Sequence, residues 1–344
     1  HELRARHDTF DTDAFTLAVE SELESLELKD RINLIADAIA DHLPSDYRAA
    51  LAIVEDVAGT EIDAWAAWPL CSFVERHGTD DPDASLAAMP TLTKRWSCEF
   101  AIRPFLDRHL ELTRRYLRRW VTDDDEAVRR LASEGTRPFL PWGPKVPALI
   151  EDPQIGIELV AALRHDRSET VRRSVANHLN DLTKFEPDLV IELLTEWTGE
   201  AEPVDQKMVS HALRTLVKRG HPGALELLGF TSEPLVSVTQ FSCDPAAVAI
   251  GDRIVLEAGL ASTSDQVQRL VVDFVIHHVN ADGATSPKVF KWTNLRLAPG
   301  ETATLTKRRT IQHASTRTYR SGTHQVDLQI GGRCMATTRF DVHA

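Results

Sequence analysis

Residues 166–190 read DRSETVRRSVANHLNDLTKFEPDLV. Wound at about 100° per residue, the stretch gathers Val171, Val175, Leu179 and Leu182 on one side and Arg173, Asn177, Asn180 and Asp181 on the other. An earlier segment, DDDEAVRRLASEGTR from Asp123, matches it at an offset of 43 residues. Val128, Arg129 and Arg130 then fall on Val171, Arg172 and Arg173. A period near 43 is that of HEAT-like helical pairs. One such pair cannot bury its apolar side alone, so neighbours stack into a solenoid with a concave surface suited to binding. Both copies place an Asp three residues ahead of a Glu, Asp123/Glu126 and Asp166/Glu169. Read as capping boxes, these mark the helix N-termini.

Working outward, apolar residues recur at three- and four-residue spacing in FTLAVESELESLELKDRINLIADAIADHL and in PDLVIELLTEW, the mark of amphipathic helices. Beyond about residue 235 the period becomes two. DRIVLEAGLAS, QRLVVDFVIHHV and HQVDLQI read as strands, punctuated by the turn signals NADG, APGE and GG. Some seven strands over about 110 residues suggest an antiparallel immunoglobulin-type sandwich. The expected fold is therefore an all-α HEAT-like repeat solenoid over residues 1–230, followed by an all-β immunoglobulin-like sandwich over residues 231–344.

The chain has 344 residues and a net charge of −13. Residues 231–344 hold 12 Lys and Arg against 10 Asp and Glu, so residues 1–230 carry −15. That balance speaks against a general nucleic-acid binder and demands a local basic surface for any such role. No apolar run approaches the roughly 18 residues of a membrane span, and no basic-then-apolar leader is present. The chain opens on His1, so its native start is expected upstream. Cys71, Cys98, Cys243 and Cys334 lie far apart without a CxxC pair. That spacing favours reduced thiols over a zinc site or disulfide framework, with a Cys243–Cys334 bridge the one alternative.

In the first repeat Arg130 and Glu134 occupy the places of Arg173 and Asn177. Neighbouring helices would thus present arginines beside carboxylates. Arginines at regular height can hold successive phosphates, and carboxylates among them favour a cation. The alternative is a solvated face with intrahelical ion pairs.

The run VRRSVANHLNDLTKFEPDLVIELLTEW, with CEFAIRPFL and ASEGTRPFLPW before it, resembles the AlkC branch of the AlkC/AlkD DNA glycosylases. LELKDRINLIADAIADHLP is similar to that family too, so the likeness spans the helical half. One subgroup carries a C-terminal immunoglobulin-like domain, matching the strands here. The resemblance implies excision of cationic N3-alkylated bases, 3-methyladenine and 3-methylcytosine, from double-stranded DNA without full base flipping. It carries four site positions onto this chain: Glu99 in SCEFAIRPF, Glu134 in ASEGTRP, Trp142 in LPWG and Asp181 in NHLND. Cys98 departs from the small residue expected before the Glu.

A base alkylated at N3 is cationic and leaves as a neutral molecule, so protonating it is unnecessary. What the reaction needs is carboxylates that stabilise positive charge on the sugar and orient water. Asp181 is expected to take the water and sugar, with Glu99 and Glu134 adding negative field. Trp142 is expected to lie against the lesion or its sugar, a cation–π contact of about 0.5–2 kcal/mol. Each has a plain alternative: Glu99 pairing with Arg103 at i,i+4, Glu134 with Arg130 or Arg137, Asp181 as an idle helix terminus, Trp142 as packing.

Phosphate contacts are expected from Arg129, Arg130, Lys145, Arg172, Arg173 and Lys184. Lys307, Arg308, Arg309, Arg317 and Arg320, in TKRRTIQHASTRTYR, are expected to reach DNA or brace it. The alternative there is an edge strand protected by charge. The histidines lack ligand-like spacing, and the chemistry calls for no metal or cofactor. The expected protein is a cytoplasmic, nucleoid-associated monomer of bacterial type that hydrolyses the glycosidic bond without nicking the strand. The competing expectation is a HEAT-type scaffold that has lost activity.

Overall fold

The computed structural model describes residues 1–313 and 318–343. Sixteen helices come first among them. They are α1 (Glu2–Arg6), α2 (Thr12–Leu23), α3 (Leu28–His42), α4 (Tyr47–Ala58), α5 (Ala64–His77), α6 (Pro82–Thr93), α7 (Arg103–Arg108) and α8 (Leu110–Trp120). There follow α9 (Glu126–Glu134), α10 (Ala148–Glu151), α11 (Gln154–Ala162), α12 (Glu169–Leu182), α13 (Pro187–Gly199), α14 (Gln206–Ala212), α15 (Arg214–Arg219) and α16 (Pro222–Leu227). The strands are β1 (Val236–Asp244), β2 (Ala247–Ala249), β3 (Arg253–Ser262), β4 (Gln268–Val279), β5 (Thr285–Leu297), β6 (Thr302–Thr310), β7 (Gly322–Ile330) and β8 (Arg333–His343).

The chain divides into two compact units. The first comprises residues 1–185 and 202–212, and the second residues 186–201 and 213–344. The division does not follow the change from helix to strand. α13, α15 and α16 group with the strands rather than with the other helices.

In the first unit, α3 packs on α5, α9 on α12, and α12 on α14. The repeat offset is realised in the coordinates, because Glu126 opens α9 and Glu169 opens α12. Val171, Val175, Leu179 and Leu182 are fully buried, as the helical spacing requires. The capping boxes are not formed. Asp125, not Asp123, caps α9 by accepting from Ala127 N. Ser168 precedes α12 without a side-chain cap bond. Asp123 and Asp166 instead accept from the N–H groups of Asp125 and Ser168, two residues on, as short acidic side chains do in turns. The polar stripe of α12 is also discontinuous. Arg173 is exposed, but Asn180 and Asp181 are buried. α14 packs there, and Asn180 Nδ2 donates to Ala212 O at 2.8 Å.

The second unit holds two sheets, ordered β1-β3-β6 and β2-β8-β7-β4-β5. The extra short strand β2 runs parallel to β8, and the other ladders are antiparallel. On β3, Ile254, Leu256, Ala258 and Leu260 face a core shared with Phe274, Val326, Leu328 and Phe340. Arg253 and Glu257 alternate outward. Helical residues cover part of the larger sheet, where Gln329 Nε2 donates to Lys218 O at 2.7 Å. The β7–β8 turn approaches backbone to backbone. A Cβ at Gly220, whose φ is +72°, would meet Gly331 O at 2.3 Å. Glycine is required there on both counts. All four cysteines are free thiols, so Cys243 and Cys334 are not bridged. His277 and His278 face opposite sides of β4, His277 bonding Asp327 at 2.7 Å while His278 is buried against Tyr319. Among the described residues, no helix is long and apolar enough to cross a membrane.

Candidate active site

Three segments of the first unit converge: residues 97–99 after α6, the end of α9, and the end of α12. α9 forms because Val128 and Leu131 are buried three residues apart behind the Asp125 cap. The same register puts Arg130 and Glu134 together at i,i+4, 3.8 Å apart. The offset between repeats brings the end of α12, with Asp181, alongside. The result is a row of alternating charge. Glu99 Oε2 accepts from Ser97 Oγ at 2.9 Å and from Arg130 Nη2 at 3.0 Å. Glu134 accepts from Arg137 Nη1 and from Ser174 Oγ, both at 2.7 Å. Asp181 Oδ2 accepts from Arg137 Nε at 2.9 Å, and its Oδ1 accepts from Lys184 Nζ at 3.0 Å. The order is Glu99, Arg130, Glu134, Arg137, Asp181, Lys184, three carboxylates threaded by three cations.

Arg137 is the pivot. Burial alone would lower its affinity for a proton, but Glu134 and Asp181 outweigh that and hold it above the usual arginine value. Arg103 does something else. Rather than pairing with Glu99, it lies buried and donates to Pro144 O (2.9 and 2.6 Å), Gly135 O (3.0 Å) and Arg137 O (2.8 Å). Burial, with Arg137 nearby, brings Arg103 down to about 10. This clamp shapes the loop carrying Trp142. Trp142 is 74% exposed and has φ +64°, a left-handed conformation that bulky residues rarely adopt and that recurs at functional sites. Its carbonyl accepts from Lys29 Nζ at 3.3 Å.

Behind the row, His178 Nδ1 donates to Ser133 O at 3.1 Å. A Cβ on Gly156 of α11 would meet His178 Nε2 at 2.3 Å, so only glycine allows this close packing. Burial pushes His178 down to about 4. An ordinary unfolded histidine titrates near 6.5, so between those values the unfolded chain binds a proton that the native one does not. Stability is expected to fall as pH drops from about 6.5 towards 4. His178→Asn, which keeps a donor for Ser133 O, is expected to flatten that decline in denaturant titrations. An unchanged profile would contradict it.

The expected phosphate ligands fare unevenly. Arg129 is removed from that set. It is buried, paired with Asp166 at 2.6 Å, and donates to Asp123 O and Asp124 O. Its repeat mate Arg172 is half-buried and donates to Asp166 O at 2.6 Å. Arg173 is exposed and pairs with Glu169. Lys145 and Lys184 are exposed, and both lie over the Phe139 ring, 5.6 and 4.5 Å from its centre. In the second unit, Lys307, Arg308 and Arg309 lie on β6, an edge strand, so alternation sends them to different faces. Arg308 and Arg320 are exposed, whereas Arg309 stacks 4.1 Å over the Phe290 ring. Arg317 lies outside the described residues. Sequence reasoning missed Ser97, Ser174, Lys29 and the clamp role of Arg103. Arg137 appeared only as an i,i+3 partner of Glu134, because its bond to Asp181 spans 44 positions.

The helical pairs and this charged row, buried at Glu134, Arg137 and Asp181 and more open at Arg130 and Lys184, define a repeat protein with a candidate ionic site. Residues 93–216 match the family model for the DNA alkylation repair enzyme, and residues 237–344 match that for the C-terminal Ig-like domain of uncharacterised protein YhaZ. The uncharacterized protein YhaZ of Bacillus subtilis (strain 168) is 33% identical over 344 residues, covering 99% of this chain and 95% of that protein. A solved structure of Pseudomonas fluorescens alkylpurine DNA glycosylase AlkC, bound to DNA containing an abasic site analog, is 33% identical with a TM-score of 0.92. That match covers 100% of this chain and 95% of the other. The chain belongs to the DNA alkylation repair enzymes, in the AlkC-type group with a C-terminal immunoglobulin-like domain.

Proposed function

We propose that this chain is a monofunctional DNA glycosylase that hydrolyses the N-glycosidic bond of 3-methyladenine and 3-methylcytosine in double-stranded DNA, without fully extruding the base. The observation that carries the reading is the convergence of Glu99, Glu134 and Asp181 on one ionic row. As it stands that row is neutral, which a developing sugar cation would not favour. Its cations are unequal, however. Arg137 is buried between two carboxylates, whereas the side chains of Arg130 and Lys184 are 28% and 39% exposed. DNA phosphates draw these two outer cations away. Glu99 and one oxygen of Asp181 are then left facing the cationic base and its sugar.

Asp181 orients the attacking water and stabilises the oxocarbenium-like sugar, Glu99 and Glu134 supply negative potential, and Trp142 covers the lesion or its sugar. A neutral base gains little from such a site, so selection for cationic damage follows from charge. Residues 1–230 act as the catalytic part, and residues 231–344, through Lys307, Arg308 and Arg320, brace the duplex. The protein acts as a monomer near the nucleoid.

The complete ion pairing of the carboxylates favours one rival, a scaffold that kept the fold without the activity. Incubation with methylated DNA decides between them. Free 3-methyladenine and 3-methylcytosine above a heat-killed control are expected, with no strand nicking. No release would reject the glycosylase reading.

A further inference from the structure

Among the described residues, two aromatic side chains stand in the set of large apolar groups left in water: Trp142 and Trp65, the latter 56% exposed. Tryptophan is normally well buried on average, so an exposed one calls for a reason. Trp65 sits in the first turn of α5, fixed by the Asp63 cap, whose Oδ1 accepts from Trp65 N at 2.9 Å. Its ring rests on Trp96 at 5.0 Å and Trp68 at 5.9 Å between centroids. Trp96 stacks on Trp68 at 5.1 Å, and Trp68 on Phe100 at 6.1 Å. This wall flanks the acidic row directly in sequence, since Trp96 precedes Ser97 and Phe100 follows Glu99. It also connects to the other exposed tryptophan. Lys29 Nζ lies 4.8 Å over the Phe100 ring and donates to Trp142 O. Trp65 thus ends a packed aromatic chain that runs through Trp96 and Trp68 to Phe100, and Lys29 ties that chain to the backbone of the loop carrying Trp142.

We infer that Trp65 is a second aromatic contact for DNA, stacking on a nucleotide that flanks the damaged one. The inference rests on the proposed DNA-binding role and adds a positioning residue to it. An indole already braced on two others loses little conformational freedom when it stacks, and base–aromatic stacking tolerates any sequence. Trp65 carries no charge, so its contribution is independent of counterion release.

The test uses the full chain and a duplex containing an abasic-site analogue, which binds without needing turnover. Trp65→Ala is expected to weaken Kd about thirtyfold, the middle of the range for losing one stacked base. The slope of log Kd against log salt is expected to stay unchanged, which a loss of phosphate contacts would not allow. Trp65→Phe keeps a ring against Trp96 and is expected to lose about two- to threefold. If the alanine variant does not fold, the phenylalanine variant decides alone. Wild-type affinity in the folded variants overturns the inference, as does a weakened Kd with a reduced salt slope. Absence of binding by the wild-type chain overturns both readings. A weaker Kd together with no base release by the wild-type chain sinks the glycosylase proposal and leaves Trp65 as a DNA contact.

Discussion

Asp181→Asn is expected to slow base release from methylated DNA by roughly 10²–10³-fold while the protein stays folded and binds DNA at least as tightly as before. The size follows from what the charge does. A positioned base, or a fixed charge at the reacting centre, contributes about that much. Asparagine matches the shape of the carboxylate but carries no charge for the sugar cation. The fold survives because Arg137 keeps Glu134 as a partner at 2.7 Å. Lys184 Nζ, 39% exposed as a side chain, can turn to water. Affinity for an abasic duplex does not fall, because Asp181 repels phosphates rather than binding them. Single-turnover rates, thermal unfolding and abasic-duplex binding measure the three parts separately. Full activity in Asp181→Asn removes it from the mechanism, and a collapse of both activity and folding makes it a structural ion-pair partner.

The largest loss of stability is expected from Arg103→Met. The substitution fills much of the volume but leaves Gly135 O, Arg137 O and Pro144 O without their donor. Gly135 and Arg137 are buried, and a buried polar group left unpaired costs about 1–3 kcal/mol. Denaturant titration is expected to show a loss on the order of 3 kcal/mol. Arg103→Lys recovers only part of it, since an ammonium cannot span three carbonyls as a planar guanidinium does. The same carbonyls define the loop that holds Trp142 at positive φ. Folded Arg103→Lys is therefore expected to lose base release disproportionately to its stability. Parallel, proportionate losses would show that the clamp serves the fold alone.

These two residues also mark how far the sequence could be read. Asp181 was visible through its motif and helical phase, although that phase implied an exposed polar stripe. α14 covers this part of α12, and Asp181 is instead buried beside Arg137. Arg103 was misleading. Its i,i+4 spacing from Glu99 promised a local pair, but α7 opens only at Arg103, so Glu99 and Arg103 share no helix. Glu99 met Arg130 instead, 31 positions away. Arg129 failed similarly, because Asp166 in the next repeat offered a buried partner that no local pattern announces.

The sequence by itself determined where apolar residues recur, and with that the helical pairs, the 43-residue step between α9 and α12, and the change to alternating strands. Periodicity is a local property, and burial of a periodic stripe is what makes each element form. Only the tertiary structure decided which charges meet across repeats, Glu99 with Arg130 and Arg137 with Asp181, whereas Glu134 with Arg130 and Arg137 followed from helical spacing. Pairing across repeats depends on distances of a few ångströms between groups dozens of residues apart. Those distances are set by how one repeat stacks on the next, which no single segment encodes.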